Sequence, residues 1–116
     1  MAAHEVRIKR VHDDPASEDG CRVLVDRLWP RGISRERAAL DHWLKDVAPS
    51  PDLRTWWDHD AARLDEFAGR YRHELAGNPA VDELLAIIED HRMTTLLYAA
   101  RDPAVNHAAV LRDHLD

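Results

Sequence analysis

Cysteine and glycine are scarce in this chain, which contains one cysteine, Cys21, and four glycines among 116 residues. A single cysteine excludes an internal disulfide and any zinc site built from several cysteines. No glycine-rich phosphate loop, dinucleotide-binding motif or Gly-x-Ser-x-Gly nucleophile motif occurs. The eight histidines contain no His-Glu-x-x-His pattern. The sequence therefore predicts no metal and no cofactor, and Cys21 is expected to be a buried structural thiol.

Long apolar runs and an excess of positive charge are also absent. The longest strongly apolar run, residues 93–100, is far shorter than the roughly 20 residues that span a bilayer, and the first five residues contain no signal-like stretch. We therefore expect a cytoplasmic protein without a membrane partner. The 16 lysines and arginines stand against 22 acidic residues, a net charge of -6, which argues against binding nucleic acid over a broad surface. The balance still allows a local basic site.

The chain is predicted to form a single domain over residues 1–116. Hydrophobic residues make up 45% of the sequence, which is enough for a core of its own. Proline and glycine are spread singly between periodic stretches, and no internal repeat occurs. A linker between two domains is therefore not expected.

Three stretches predict strands. Val6, Ile8 and Val11 alternate with charged residues, and the turn-forming residues 12–15 follow them. Residues 21–25 and 94–99 are rich in β-branched and apolar residues, which is typical of buried strands, and the second stretch is expected to be central. The connection between the first two strands allows either a hairpin or a very short crossover.

Apolar residues at helical spacing predict helices at residues 35–46 and 60–76, a short helix between them, and two more after Asn78 and Asp102. Gly77 is expected to end the 60–76 helix in a left-handed conformation. The helix starts carry cap residues, Ser34, Ser50, Asn78 and Asp102, and the last three are each followed by proline. The helix after Asn78 is expected to direct four residues into the core: Val81, Leu84, Leu85 and Ile88.

Strands separated by helices predict the α/β fold class, with a short, mostly parallel sheet flanked by helices, because parallel neighbours need crossover connections. Ligands of such sheets collect at the carboxyl ends of the strands, where loops lead into helix N-termini. Two predicted strands end there in polar loops. Both loops are candidate site segments.

The first candidate loop follows the second strand and contains Asp26, Arg27, Trp29, Arg31 and Gly32. The planar guanidinium of arginine suits bidentate binding of phosphate or carboxylate, and an indole can stack on a ring. The alternative is that Asp26 pairs with Arg27 or Arg31 to hold the loop, and that Trp29 belongs to the core. Loops of this kind often carry ligand sites.

The second candidate loop follows residues 94–99 and carries Arg101, with Tyr98 at the strand end. Asn106 and His107 are expected in the first turn of the last helix. The positive end of a helix disfavours imidazolium, so the pKa of His107 is expected to be lowered and its neutral ring can act as a base. The alternatives are a cap role for Asp102 and a capping or solvent-facing role for His107.

Residues 50–59 form a third candidate segment because they combine aromatic and polar groups. The segment either covers the site as a lid, with Arg54 and His59 pointing inward, or anchors Trp56 and Trp57 in the core. One of the two tryptophans is expected to be buried.

Several specific motifs are spread over nearly the whole chain. They are Val-Leu-Val-Asp-Arg-Leu-Trp-Pro-Arg-Gly at 23–32, Trp-Leu-Lys-Asp-Val-Ala-Pro-Ser at 43–50, Leu-Arg-Thr-Trp at 53–56, Tyr-Arg-His-Glu-Leu at 71–75, and Leu-Leu-Tyr-Ala-Ala-Arg-Asp at 96–102 with Asn-His at 106–107. With these motifs the chain closely resembles the YeaO-like branch of the domain of unknown function 488 (DUF488) family.

The resemblance implies a small bacterial α/β protein and implies no particular activity. Related branches look similar at a strand-exit Asp-x-Arg-x-x-Pro pattern and carry a Cys-His-Arg stretch near the final helix. Here Asp26 and Arg27 are adjacent, and Asn106-His107-Ala108 stands in place of Cys-His-Arg. The absent cysteine argues against thiol chemistry, while His107 retains the histidine position.

The leading hypothesis is an enzyme or binding domain for a small anionic ligand, such as a nucleotide or a sugar phosphate. Arg27, Arg31 and Arg101 would clamp the anion, and His107 would transfer a proton. Asp26 would orient an arginine or act as an acid, base or nucleophile. The remaining predicted pocket residues are Trp29, Arg54, His59, Tyr98 and Asn106.

The alternative is a non-catalytic interaction module. In this interpretation Arg31, Trp29 and residues 56–57 form an exposed patch for a protein partner or a local nucleic-acid contact. Convergence of the candidate groups in a concave pocket favours the first hypothesis, and their spread over a flat face favours the second. No oligomeric state follows from the sequence.

Overall fold

One parallel sheet of four strands organises the computed structural model, which describes residues 4–115. The strands lie in the order β1–β4–β2–β3, where β1 is Glu5–Arg10, β2 is Cys21–Leu24, β3 is His42–Trp43 and β4 is Met93–Tyr98. The strand β4 pairs with both β1 and β2, so the run that predicted a central strand is central. The predicted α/β class with a mostly parallel sheet is confirmed.

The connection from β1 to β2 is the short crossover and not the hairpin. It crosses over β4, which lies between β1 and β2 in the sheet, and it contains one 3-10 turn at Ser17–Asp19. Gly20 ends this turn with φ 64°, and a Cβ at that position would lie 2.3 Å from the Met93 carbonyl oxygen. Only glycine allows this close approach and this backbone conformation together.

Five helices accompany the sheet within the described residues. They are α1 (Arg35–Ala38), α2 (Pro51–Trp57), α3 (Leu64–Ala76), α4 (Pro79–Glu89) and α5 (His107–Leu115). The predicted caps of the first, second and fourth helices are confirmed, since the side chains of Ser34, Ser50 and Asn78 accept hydrogen bonds from Arg37, Leu53 and Ala80 amides. Within residues 4–115, no helix is both long and apolar enough to cross a membrane.

The predicted helix over 35–46 is wrong beyond Ala38. Ala39 adopts a left-handed conformation with φ 48° and ends α1. The chain then pairs with the edge of β2: the Arg22 amide donates to Asp41 Oδ2, and the Leu44 amide donates to the Leu24 carbonyl, both at 2.9 Å. Strand pairing satisfies these backbone groups and overrides the helical spacing of the apolar residues.

Three finer predictions about helices are also corrected. Gly77 ends α3 with φ -108°, not in the left-handed region. Leu85 is 37% exposed and does not point into the core. The last helix begins at His107 and not after Asp102, because Asn106 Oδ1 accepts the Ala109 amide hydrogen bond at 2.9 Å and caps it there.

The two faces of the sheet carry separate hydrophobic cores. The larger core packs Val23, Val25, Leu96 and Tyr98 against helices α2 to α5, and the smaller packs Leu24 and Leu97 on the other face with Val11 and Ala38. This alternation follows from the pleat, which directs successive side chains to opposite faces. The loops at the carboxyl edge therefore meet beneath α2 and α5.

Candidate functional site

Asp26 lies where the carboxyl ends of β2 and β4 meet. The preceding Val25 amide donates to the Leu97 carbonyl at 3.1 Å. Asp26 Oδ2 accepts a hydrogen bond from the Ala99 amide at 3.0 Å, and the Asp26 backbone carbonyl accepts one from Trp43 Nε1 at 2.8 Å. Asp26 thus bridges the exits of two neighbouring strands, with a side chain that is 17% exposed.

His107, the first residue of α5, faces Asp26 across this edge. Its Nε2 lies 3.0 Å from the Val25 carbonyl oxygen and 3.3 Å from Asp26 Oδ1. Because a carbonyl oxygen only accepts hydrogen bonds, Nε2 carries the proton, and Nδ1 of the neutral ring carries none. The Tyr71 ring packs edge-on against the imidazole, with centroids 6.2 Å apart. Packing and hydrogen bonding therefore define both the orientation and the tautomer of His107.

The same burial affects the two titratable groups in opposite directions. Burial raises the pKa of Asp26, although His107, the Ala99 amide, Arg54 and His59 act to lower it. Burial also lowers the pKa of His107, although Asp26 and the Val25 carbonyl oppose this effect. The predicted lowering of the His107 pKa has the right sign, and its first cause is loss of water around the imidazolium. The site thus disfavours a charge on either group.

Replacement of Asp26 by asparagine is expected to stabilise the protein at alkaline pH. A carboxyl group whose pKa is raised on folding contributes stability at low pH, and that contribution is lost as the pH rises through the folded pKa. Asparagine cannot ionise, and its Oδ1 can still accept the Ala99 amide hydrogen bond. Urea unfolding should therefore show that the free energy of unfolding of Asp26→Asn exceeds that of the wild type by an amount that grows from about pH 4 to about pH 8. If the free energies of unfolding of the variant and the wild type changed with pH in the same way, the raised pKa assigned to Asp26 would be contradicted.

A hollow of about 330 Å³ opens at the carboxyl edge of the sheet, and neither Asp26 nor His107 is among the residues that line it. Its walls come from the turn after α2 and from the loop between β4 and α5. Arg101 is exposed there and makes no hydrogen bond or ion pair with the rest of residues 4–115. The lining residues are His59, Ala61, Ala100, Arg101, Asp102 and Val105. The hollow therefore combines three apolar residues with an imidazole, a guanidinium and a carboxylate.

His59 reaches the hollow through a strained turn. Asp58 and His59 have φ values of 49° and 53°, a conformation that non-glycine residues seldom adopt in succession. The His59 ring packs on the Trp57 ring at a centroid distance of 4.9 Å, and Trp57 stacks on Phe67 at 3.7 Å. Trp57 Nε1 also donates to the Asp60 carbonyl at 3.0 Å. A buried aromatic stack therefore supports the turn that presents His59.

The arginines of the first candidate loop do not converge on this hollow. Arg27 Nη2 donates to the carbonyls of Ala48 and Pro49 at 3.3 and 3.4 Å, so its guanidinium holds the chain before α2. Arg31 is exposed on the loop. Neither arginine forms an ion pair with Asp26 among the described residues. The predicted pairing of Asp26 with Arg27 or Arg31 is therefore replaced by the pairing with Ala99 and His107.

The aromatic and amide candidates are mostly structural. Trp29 packs edge-on against Trp43, with ring centroids 5.4 Å apart, and donates to the Ile33 carbonyl at 2.7 Å. Tyr98 is 3% exposed in the larger core, and burial raises its pKa. Asn106 Nδ2 donates to the Asp102 carbonyl at 3.0 Å, and its Oδ1 caps α5. Trp29 and Asn106 therefore hold their loops, and Tyr98 belongs to the core.

Trp57 is the buried tryptophan of the middle segment, at 2% exposure, and Trp56 is half-buried. Trp57 therefore anchors the segment in the core, and His59 lines the hollow. Arg54 is exposed on α2, and its charge acts on both Asp26 and His107.

Three contributors to the site were not predicted from the sequence: the Ala99 amide, the Val25 carbonyl and the Tyr71 ring. The first two are backbone groups, which carry no residue-type signal. Tyr71 lies on the apolar face of α3, where the periodicity predicts only a core residue. Cys21 is buried as predicted, and burial raises the pKa of its thiol. Residues 4–115 contain no cluster of three or more potential metal ligands.

Comparison with known proteins identifies relatives along nearly the whole chain. The chain is 45% identical over 111 residues to uncharacterized protein Rv3073c of Mycobacterium tuberculosis H37Rv, covering 96% of this chain and 93% of that protein. It is 42% identical over 110 residues to uncharacterized protein YeaO of Escherichia coli K12, covering 95% and 96%. No solved structure matches significantly. The model of the family described as "Inactive DUF488-N3 subclade" matches residues 5–116, and the chain therefore belongs to this DUF488 subclade.

Proposed function

We propose that this protein binds a small organic anion in the hollow at the carboxyl edge of the sheet and holds it without a covalent step. The observation that carries the proposal is that Arg101 and His59 line the same hollow together with three apolar residues. Its volume of about 330 Å³ is at the small end of ligand pockets. A phosphate monoester or carboxylate with a compact organic part fits this description.

The charges around the hollow favour an anion. Arg101 has an unpaired guanidinium among the described residues, and the charge of Arg54 acts on the Asp26–His107 pair. Asp102 also lines the hollow, and its Oδ1 accepts the amide hydrogen bonds of Ala104 and Val105. A guanidinium forms two parallel hydrogen bonds to phosphate or carboxylate oxygens. The apolar part of the ligand would lie against Ala100 and Val105, which need no polar partner.

The state of the Asp26–His107 pair is compatible with an anionic neighbour. Burial disfavours the carboxylate form of Asp26 and the imidazolium form of His107. Both shifts oppose charge on this pair, and the neutral imidazole of His107 carries no proton on Nδ1. In this proposal Asp26 positions His107 and does not itself contact the anion.

Two observations support binding without covalent catalysis. Asn106 occupies the position where related branches carry cysteine, and both polar atoms of its side chain are engaged in capping hydrogen bonds. The subclade that matches this chain is itself described as inactive. Position 106 therefore carries no thiol, and its amide side chain rigidifies the start of α5.

Thermal unfolding in the presence of inorganic phosphate, glucose 6-phosphate, adenosine monophosphate and benzoate tests the proposal. A ligand that binds only the folded state raises its stability by about 2.7 kcal/mol at roughly a hundredfold excess over Kd. We expect a saturable increase in melting temperature with at least one organic anion. Arg101→Ala should abolish the increase.

Arg92→Ala is the matched control for Arg101→Ala. Arg92 is an exposed arginine just before β4, at the opposite end of the sheet from Arg101. Its removal changes the net charge equally, so the ligand response should persist. Absence of any response to the four anions, or an equal loss in both variants, would overturn the proposal.

A further inference from the structure

The side of α3 that points away from the core is exposed. At 100° per residue, Asp65, Glu66, Gly69, Arg72 and His73 share one side of the helix. All five are exposed. The buried residues Phe67, Tyr71 and Leu75 lie on the opposite side. Gly69 is at the centre of the exposed face.

Gly69 is poorly suited to its position if α3 remains solvated. Glycine in a helix interior is less favourable than alanine because the unfolded chain loses more conformational freedom. A Cβ at position 69 would meet nothing within 4 Å, so the fold of the monomer does not require glycine there. A side chain at this point would instead obstruct a surface that approaches α3 from outside.

The charges along this face are divided between its two ends. Asp65 and Glu66 lie toward the N-terminus of α3, where Glu66 also pairs with Arg70 of the same helix. Arg72 and His73 lie toward its C-terminus. Two copies of α3 packed antiparallel about a two-fold axis at Gly69 place Glu66 opposite Arg72 of the second copy. The same axis places Asp65 opposite His73. A parallel arrangement would instead place like charges opposite one another, which is unfavourable.

The surface beside Gly69 is concave and carries residue types common at interfaces. Gly69 and His73 border a groove of about 600 Å³ between α2 and α3, whose other side includes Trp56. The guanidinium carbons of Arg70 and Arg63 lie 4.4 and 5.2 Å from the Trp56 ring centroid. Tryptophan and arginine are enriched in protein interfaces relative to the rest of the surface.

We infer that the protein forms a symmetric dimer in which the α3 helices of two copies cross antiparallel at Gly69. A two-fold axis makes the interface self-complementary, because each copy offers the same acidic half to the basic half of the other. Every Glu66–Arg72 contact occurs twice. This surface lies on the outer side of α3, so the inference is independent of the anion site.

Sedimentation velocity over a range of protein concentrations tests the dimer, with three variants. Gly69→Gln should abolish it while raising the melting temperature of the monomer at low concentration, since glutamine favours helix and meets no clash. Arg72→Glu should raise the dissociation constant by about tenfold or more, because opposite charges become like charges at two contacts. The double variant Glu66→Arg/Arg72→Glu should restore association.

Glu83→Arg is the control, since Glu83 is exposed on α4 and outside the α3 face. It should leave the dissociation constant unchanged. The inference is overturned if the wild type stays monomeric at every concentration, if a dimer survives both Gly69→Gln and Arg72→Glu, or if the double variant remains as weak as Arg72→Glu.

Discussion

Replacing Trp57 with alanine is expected to lower the free energy of unfolding by about 3–5 kcal/mol, the usual cost of removing a buried tryptophan side chain. The indole is 2% exposed and stacks on Phe67 at 3.7 Å. Its Nε1 hydrogen bond to the Asp60 carbonyl closes the turn that holds His59. The substitution should therefore also weaken anion binding under conditions where the protein is still folded. Urea unfolding and ligand-induced thermal shifts measure the two effects separately.

Trp56→Ala is the matched control for this prediction. Trp56 is the adjacent residue of the same helix, but it is half-buried and lies under the exposed guanidiniums of Arg63 and Arg70. Its truncation should cost much less stability and leave the anion response in place. Equal losses of stability in the two variants would show that the aromatic stack beneath His59 has no special role.

Replacing Asp19 with asparagine is expected to destabilise the protein by about 3–5 kcal/mol near pH 7, because breaking a buried ion pair leaves a charge without its partner. The Asp19 carboxylate is buried and forms ion pairs with Lys9 at 3.0 Å and with Arg22, which is 5% exposed. It also accepts the Ala16 amide hydrogen bond at 3.0 Å. Asparagine retains the shape and loses the charge that compensates Arg22.

The pH dependence of this loss has a definite sign. Burial raises the pKa of Asp19, but hydrogen bonds from Ala16, Lys9 and Arg22 outweigh it, so the net pKa is lowered. Such a carboxylate stabilises the fold above its unfolded pKa of about 3.9, and this contribution is lost as the pH falls through the lower folded pKa. The difference between wild type and Asp19→Asn in urea unfolding should accordingly shrink in acid.

Asp14→Asn provides the surface comparison. Asp14 also forms an ion pair, with Arg37, but its side chain is 87% exposed. Exposed ion pairs contribute about 0–1 kcal/mol. If Asp14→Asn lowered the free energy of unfolding as much as Asp19→Asn does, the role assigned to burial would be contradicted.

The elements with strong local signals were predictable from the sequence. A stretch rich in β-branched and apolar residues predicted the central position of β4, and cap residues located the starts of α1, α2 and α4. The segment after Ala38 was not predictable, since its apolar residues have helical spacing. Its conformation is decided by hydrogen bonds to Arg22 and Leu24, residues that are distant in the sequence.

The meeting of the two candidate loops at one edge of the sheet was predictable, but the partners of their side chains were not. The positions of Asp26 and His107 at strand and helix ends indicated a shared edge, and the structure places Asp26 Oδ1 3.3 Å from His107 Nε2. The expected clamp depended on the directions in which the Arg27 and Arg31 side chains point, and the sequence does not specify those directions. Arg27 turns to the carbonyls before α2 because they are the acceptors within its reach.

By itself, the sequence determined the class of fold, the edge at which polar loops gather, and the absence of a cysteine beside His107, since these depend on local pattern and residue identity. The tertiary structure decided which polar groups pair there. It also decided the strained presentation of His59 over Trp57 and the burial that shifts the pKa values of Asp26 and His107. Pairing and burial depend on contacts between distant segments, and no local sequence pattern encodes those contacts.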